Sequence, residues 1–425
     1  PRSGKGDPAM QAKAVELAKK ADIVLLYIGL DEISESEGLD RPHMKLPQSQ
    51  IDLLEAVAAV NHNVVAVMSA GSAVEMPWLG RCKAVIHGYL CGQAGASAVL
   101  KALMGEINPS GKLAESCPVK YEDVSSDPYF PAKQRTAEYR EGLYVGYRYY
   151  ETANIPVQFP FGFGLSYTTF AYSDLKVSDK EAAFTLTNTG SMDGAEVAQL
   201  YVGKPDAKVF RPAKELKGFA KVFLKAGESK TVTIPLDDKA FRYFNVKTNQ
   251  FEVEGGEYQI MVGASAADIK LTGTVAAAGT EAPNPYNEKE LADYYTGNIK
   301  AVSDRQFEAL LGHPIPDGSW IGTLTMNDAI CQMYYAKSGL GRFVCRRLTS
   351  MINKSMEKGK PNLNLMFNYN MPFRGIAKMT GGMCTMEMAE GILIIVNGHF
   401  FKGLGRIIGG FFRAGKKHKA AAAIK

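Results

Sequence analysis

Hydrophobic residues repeat with one period before residue 170 and with another after it. Between Ala21 and about Leu165, uninterrupted apolar runs alternate with helix-like stretches: ADIVLLYIG at 21–29, PQSQIDLLEAVAAV at 47–60, NVVAVMSA at 63–70, KAVIHGYL at 83–90 and AGASAVLKALMG at 94–105. Strands apolar on both faces and separated by helices imply a mostly parallel, doubly covered sheet. This predicts an open α/β sandwich over residues 1–165. From Ala171 to about Val275 the period is two: Val232, Ile234 and Leu236 alternate with polar neighbours in TVTIPL, as do Tyr258, Ile260 and Val262 in YQIMVG. With turn sequences at NTGSMDG (188–194) and EGGE (254–257), residues 166–277 read as an immunoglobulin or fibronectin III-like β-sandwich.

The remaining residues, 278–425, begin within the weak linker AAAGTEAPNPYN (276–287) and read as a mainly helical extension with ten of the seventeen methionines. This extension holds 19 Lys/Arg against 11 Asp/Glu, whereas the residues before it hold 30 against 33, so the positive excess of the chain lies in the extension. Three modules agree with a length of 425 residues, more than one hydrophobic core usually organises. A chain that is 46% hydrophobic and 22% charged is not globally disordered.

Six widely separated cysteines, without a C-x-x-C pair, suggest neither a disulfide framework nor a zinc site, so no metal is expected and a reducing, cytoplasmic setting is. The chain opens on Pro1 without a basic-then-apolar leader, and secretion directed by sequence upstream of it is left open. Two motifs fail on inspection. In GEINPSGK (105–112) five residues separate Gly105 from Gly111 and Leu113 occupies the Ser/Thr position of a phosphate loop. GLGRII (403–408) lacks the third glycine of a dinucleotide-binding turn and follows no strand. No cofactor is expected.

Chemistry concentrates in the loop after the first apolar strand, LDEISESEGLDRPHMKL at 30–46. Ligands of open α/β sheets meet loops at the carboxyl ends of strands. Breaking a glycosidic bond calls for one carboxylic acid to protonate the leaving oxygen and a second carboxylate on the other side of the sugar. As residues alone, these acids read most simply as solvated loop charges or an Asp40–Arg41 surface pair.

The stretch LYIGLDEISESEGLDRPHMKLPQSQIDLLEAV (26–57) resembles glycoside hydrolase family 3, in which S-E-G-x-D-R precedes L-P and a helix. The resemblance continues through SAGSAVEMPWL (69–79), GQAGASAVLKALMGEINPSGKLAESCP (92–118), YREGLYVGYRYYE (139–151) and FPFGFGLSYTTF (159–170), then through NTGSMDGAEVAQLYV (188–202), KELKGFAKVFLKAGESKTV (214–232) and EGGEYQIMVGAS (254–265) of its fibronectin III-like domain. It implies a retaining β-glucosidase whose general acid/base is Glu37, with Glu35 the runner-up, and whose substrate is a β-glucoside or short oligosaccharide. Asp40 and Arg41 are implied either to order the loop as an ion pair or to contact substrate. The family's nucleophilic aspartate belongs to a (β/α)8 barrel absent from these residues, so this chain is expected to be an inactive C-terminal part of a longer enzyme. A noncatalytic carbohydrate-binding or scaffolding protein is the alternative. NPSG (108–111) and FPFGFG (159–164) are expected to serve structure, His87 to be a hydrogen-bonded core histidine, and Trp78 to pack the sandwich or face a sugar.

In the extension, Ser303 should cap a helix that stops at Gly312 and Pro314, and similar extensions follow the fibronectin-like domain in some bacterial family members. Residues 391–419 mix Ile, Leu and Phe with Lys402, Arg406, Arg413, Lys416, Lys417 and Lys419. Two readings stand: packing within the protein or against a second subunit as a homo-oligomer, or peripheral contact with an anionic membrane. Nucleic acid is not expected, because no stacking motif accompanies the charge.

Overall fold

The computed structural model describes residues 6–31, 34–35, 40–132, 134–237, 239–319, 322–358, 360–381 and 383–422, with only backbone beyond residue 414. Helix α1 (Pro8–Ala18) starts where Asp7 accepts hydrogen bonds from the Ala9 and Met10 amides and Pro8 supplies a preset φ. Strands β1 (Val24–Gly29), β2 (Val64–Ser69) and β3 (Ala84–His87) form a parallel sheet in that order, Val24 opposite Val64 and Gly29 opposite Ser69. Helix α2 (Gln48–Ala58) connects the first two strands, and α3 (Gly95–Leu103) follows the third.

Leu26, Ile28, Leu54, Val57, Val64, Ala66, Met68 and Trp78 form the core of this module. Trp78, 1% exposed, packs the sandwich and is not presented to a sugar. Double-sided burial holds for β2, where Val64, Ala66, Val67 and Met68 are all buried, but not for β1, where Leu25 and Tyr27 are 44% and 68% exposed. The strand lies at a sheet edge, its Leu26–Ile28 face takes the helices, and the described residues do not cover the other face.

A short antiparallel pair, β4 (Cys117–Pro118) with β5 (Val157–Phe159), and helix α4 (Tyr147–Ala153) lead into the second module. There β6 (Phe170–Val177), β7 (Glu181–Asn188) and β10 (Ser229–Pro235) form one sheet. The facing sheet is built from β8 (Gly194–Gly203), β9 (Glu215–Leu224), β13 (Gly256–Gly263) and β14 (Ile269–Ala277), and β11 (Arg242–Asn245) pairs with β12 (Gln250–Val253) as a hairpin. The period-two residues do what alternation requires: Val232, Ile234, Tyr258, Ile260 and Val262 fill the core with Phe184, Leu186 and Leu200.

The turn sequences between the modules are joints. Asn108 donates to the Asp193 carbonyl at 3.0 Å and accepts from Ser166 Oγ and the Tyr167 amide, and Lys112 pairs with Glu196 at 2.9 Å. Gly162 has φ 80°, and a Cβ there would come within 1.9 Å of Gln199 Oε1, so glycine is required while Gln199 donates to the Gly162 carbonyl.

Beyond residue 278 the packing divides. Helices α5 (Ala292–Thr296) and α6 (Asp304–Leu311) fold back on the first module, where Leu291, Tyr294, Ile299, Val302 and Phe307 join Tyr144, Tyr149 and Tyr150, and Phe210 of the second module, in one cluster. Ser303 caps α6 and Gly312, with φ 75°, ends it, as its sequence predicts. Helices α7 (Gly339–Glu357), α8 (Leu363–Asn370), α9 (Gly375–Met379), α10 (Met386–Val396) and α11 (Phe400–Ala422) follow. Leu324, Met333, Cys345, Phe373, Leu393 and Val396 form a separate core, tied to the first module by Arg135 on Asp328 at 3.1 and 2.7 Å. Among the described residues no helix is long and apolar enough to cross a membrane, and no cluster of His, Cys, Asp and Glu could hold a metal.

Candidate active site

The ends of two parallel strands converge on the acidic loop. β1 stops at Gly29, where a Cβ would lie 2.0 Å from the Ser69 carbonyl oxygen of β2, and the Gln50 side chain completes the strand end by accepting from the Gly29 amide and donating to its carbonyl. The chain then turns at Asp31, whose carboxylate accepts from the Ser34 amide at 2.9 Å and from Ser34 Oγ at 2.8 Å. This turn delivers Glu35 to the end of β2. Both Glu35 oxygens accept the Gly71 amide, at 2.8 and 3.0 Å, and Ser72 Oγ donates at 3.4 Å. Arg41 Nη1 donates to the same Ser72 hydroxyl at 2.6 Å. One serine thus bridges the acid and the base of the loop.

Leu30, Asp31, Ser34, Glu35, Arg41, Gly71, Ser72 and Leu90 line a cavity of about 410 Å³. Asp40 and Arg41 border a second, of about 360 Å³, with His43, Met44, Tyr121, Val124, Ser126 and Phe130. Buried Glu75 braces that second wall: its carboxylate accepts from the Tyr121 amide at 3.0 Å, and its own amide donates to the Met44 carbonyl.

Charge in the first cavity is balanced by position. Burial draws the Arg41 guanidinium below its ordinary value, while Glu35 and then Glu115 oppose that shift. Its Nη2 is buried without a hydrogen-bond partner among the described residues. Burial raises the Glu115 carboxyl above the usual carboxylate range, against the pull of the Ala73 amide, Tyr89 and Arg41. A carboxyl held more protonated in the folded than in the unfolded chain contributes stability at pH below its ordinary value and loses it as pH rises through the raised one. Urea midpoints of the wild type and Glu115→Gln, measured across that window, should therefore diverge in favour of the variant as pH rises. Parallel profiles would show that Glu115 titrates as it does in the unfolded chain.

Of the residues expected from sequence, Glu37 lies outside the described residues. Among the described residues Asp40 and Arg41 form no ion pair, and Arg41 Nη1 donates to Ser72 Oγ, just beyond the neighbouring strand end. His87 is only partly buried: burial lowers its imidazole from the ordinary value against a backbone hydrogen bond with Met68, its ring lies 3.9 Å from that of Tyr89, and geometry gives its Nδ1 no hydrogen-bond partner among the described residues. Sequence reasoning passed over Gly71, Ser72 and Glu115 as chemistry. The available signal was that SAGS at 69–72 ends the strand next to β1, and adjacent parallel strand ends share one ligand crevice.

Comparison with known proteins agrees with this architecture. Residues 5–167 match the glycosyl hydrolase family 3 C-terminal domain, and residues 196–266 a fibronectin type III-like domain. The chain is 48% identical to an exo-α-(1→6)-L-arabinopyranosidase of Bifidobacterium breve, a match covering 66% of this chain and 38% of that protein. It is 46% identical to thermostable β-glucosidase B of Acetivibrio thermocellus, over 64% and 37% of the two chains. The crystal structure of a GH3 β-glucosidase from Bifidobacterium adolescentis superposes with a TM-score of 0.64 at 44% identity, covering 70% of this chain and 46% of that one. The chain thus spans little more than a third of the length of these curated relatives. Residues 5–167 and 196–266 thus carry, in this order, the glycosyl hydrolase family 3 C-terminal domain and a fibronectin type III-like domain, and the 44% identical GH3 β-glucosidase structure superposes on that part of the chain.

Proposed function

We propose that this chain supplies the proton-donor side of a retaining glycosidase acting on β-linked glucosyl residues, with Glu37 as general acid/base and the nucleophile on a separate barrel domain. The observation that carries the reading is the cavity at the converging ends of β1 and β2, where Glu35 and Arg41, on either side of Glu37 in the chain, are anchored through Gly71 and Ser72. Both Glu35 oxygens are engaged by backbone and hydroxyl donors, which suits a residue that holds the loop and leaves the donor's role to Glu37. Arg41, with an unused buried donor on Nη2, suits contact with a sugar hydroxyl. Asp40, on the rim of the second cavity, suits contact with the leaving group.

Glu37 gives its proton to the glycosidic oxygen while the barrel carboxylate attacks the anomeric carbon, then takes a proton from the water that releases the sugar. A second reading, favoured by the 48% identical relative, is hydrolysis of terminal α-L-arabinopyranosides by the same two steps. The test joins the chain to a family 3 barrel and follows the first-formed sugar by NMR, with an aryl β-glucoside and an aryl α-L-arabinopyranoside in parallel. Retained configuration supports the mechanism, and the faster substrate assigns the sugar. An inverted product, or hydrolysis by the chain without a barrel, overturns the reading.

A further inference from the structure

The last two helices form a hairpin whose inner side is closely packed and whose outer side is apolar. Gly391 of α10 meets Gly403 and Ile407 of α11, a Cβ on Gly403 would come within 2.5 Å of the Gly391 carbonyl oxygen, and Gly410 lies against Met388. These small residues fix which side of α11 faces α10. Arg406 on Glu390 at 2.6 Å and Arg413 on Glu387 at 2.7 Å pin one flank of α11 to the same helix. At the helical repeat, Phe401, Leu404, Ile408, Phe411 and Phe412 fall within about 100° of arc on the far side. Their exposures run from 38% for Leu404 to 86% for Phe401.

Such a stripe needs an occupant, and charge selects one. After Glu390 the chain has no acidic residue and seven Lys or Arg, three of them at 416, 417 and 419. A second copy seated on this stripe would set those cations against their own kind, whereas anionic lipid phosphates answer them. Phenylalanine and leucine on one side of a basic helix, with polar residues interrupting any spanning length, are suited to the boundary between headgroups and acyl chains. We propose that α11 is an interfacial helix that seats this protein on an anionic lipid surface through the Phe401–Phe412 stripe.

The experiment is flotation of the full chain with phosphatidylcholine vesicles, with and without phosphatidylglycerol. Two variants are run beside it: Phe401→Ser/Ile408→Ser/Phe411→Ser/Phe412→Ser, whose changes all lie on exposed positions, and Lys416→Ala/Lys417→Ala/Lys419→Ala. The wild type should float with anionic vesicles and far less with neutral ones, and added salt should weaken the binding. The lysine variant should partition about a hundredfold more weakly, at roughly fivefold per charge. The apolar variant should not float. Circular dichroism matching the wild type shows that both variants are folded. Flotation unchanged in either variant, or absent on anionic vesicles, overturns the proposal. Sedimentation without lipid gives the alternative occupant: a concentration-dependent dimer abolished by the serine variant would assign the stripe to a second copy.

Discussion

Glu37→Gln in the barrel-joined protein is expected to lower kcat/KM for alkyl glucosides by roughly a hundred- to ten-thousandfold, the range that positioned proton transfer contributes. Glutamine keeps the size of the side chain and has no proton to give. The loss should shrink with a nitrophenyl leaving group, which departs without protonation, and the alkaline limb of the pH profile should disappear, because that limb reports deprotonation of the acid. Azide should restore turnover and yield a glycosyl azide of retained configuration, since a small anion can replace the water that Glu37 activates. Glu35→Gln is the discriminating control. It leaves one oxygen to accept from the Gly71 amide and Ser72 Oγ but removes the charge and the second accepting oxygen, so it should loosen the loop without azide rescue. Rescue of the Glu35 variant and not of the Glu37 variant would reverse the assignment.

Tyr294→Ala is expected to destabilise the first module by about 3–5 kcal/mol, the cost of truncating a fully buried aromatic. Tyr294 is 0% exposed, its hydroxyl donates to the Arg140 carbonyl at 2.9 Å, and its own carbonyl accepts from Tyr144. Around it Arg140 pairs with Glu138 and Asp304, each at 2.6 Å, and lies over the Tyr129 and Phe307 rings. Tyr294→Phe removes only the hydroxyl and should cost about 1 kcal/mol. The measurement is urea unfolding followed by limited proteolysis that reports each module separately. A loss confined to residues beyond 322 would show that α5 and α6 do not belong to the core of the first module.

Glu37 and Tyr294 differ in what a local pattern can reach. Glu37 is reached through a local string, S-E-G-L-D-R, whose resemblance needs no contact map. Tyr294 carries no such string, and its burial depends on partners about 150 residues earlier, which periodicity within a window cannot report.

Local order followed the same division. Apolar runs and period-two alternation dictate strands and their inner faces wherever each face has a cover, because hydrophobic burial acts on whichever side meets another layer. Thus Val232, Ile234, Tyr258 and Ile260 went inside as their spacing required. Leu25 and Tyr27 have the same apolar character and stay exposed, since burial depends on a neighbouring layer and not on the residue. The candidate site divides likewise. The acids and Arg41 stand together in one loop and are legible there, but Gly71, Ser72 and Glu115 lie on other segments. Their chemistry arises from convergence of parallel strand ends, which register and packing set in three dimensions.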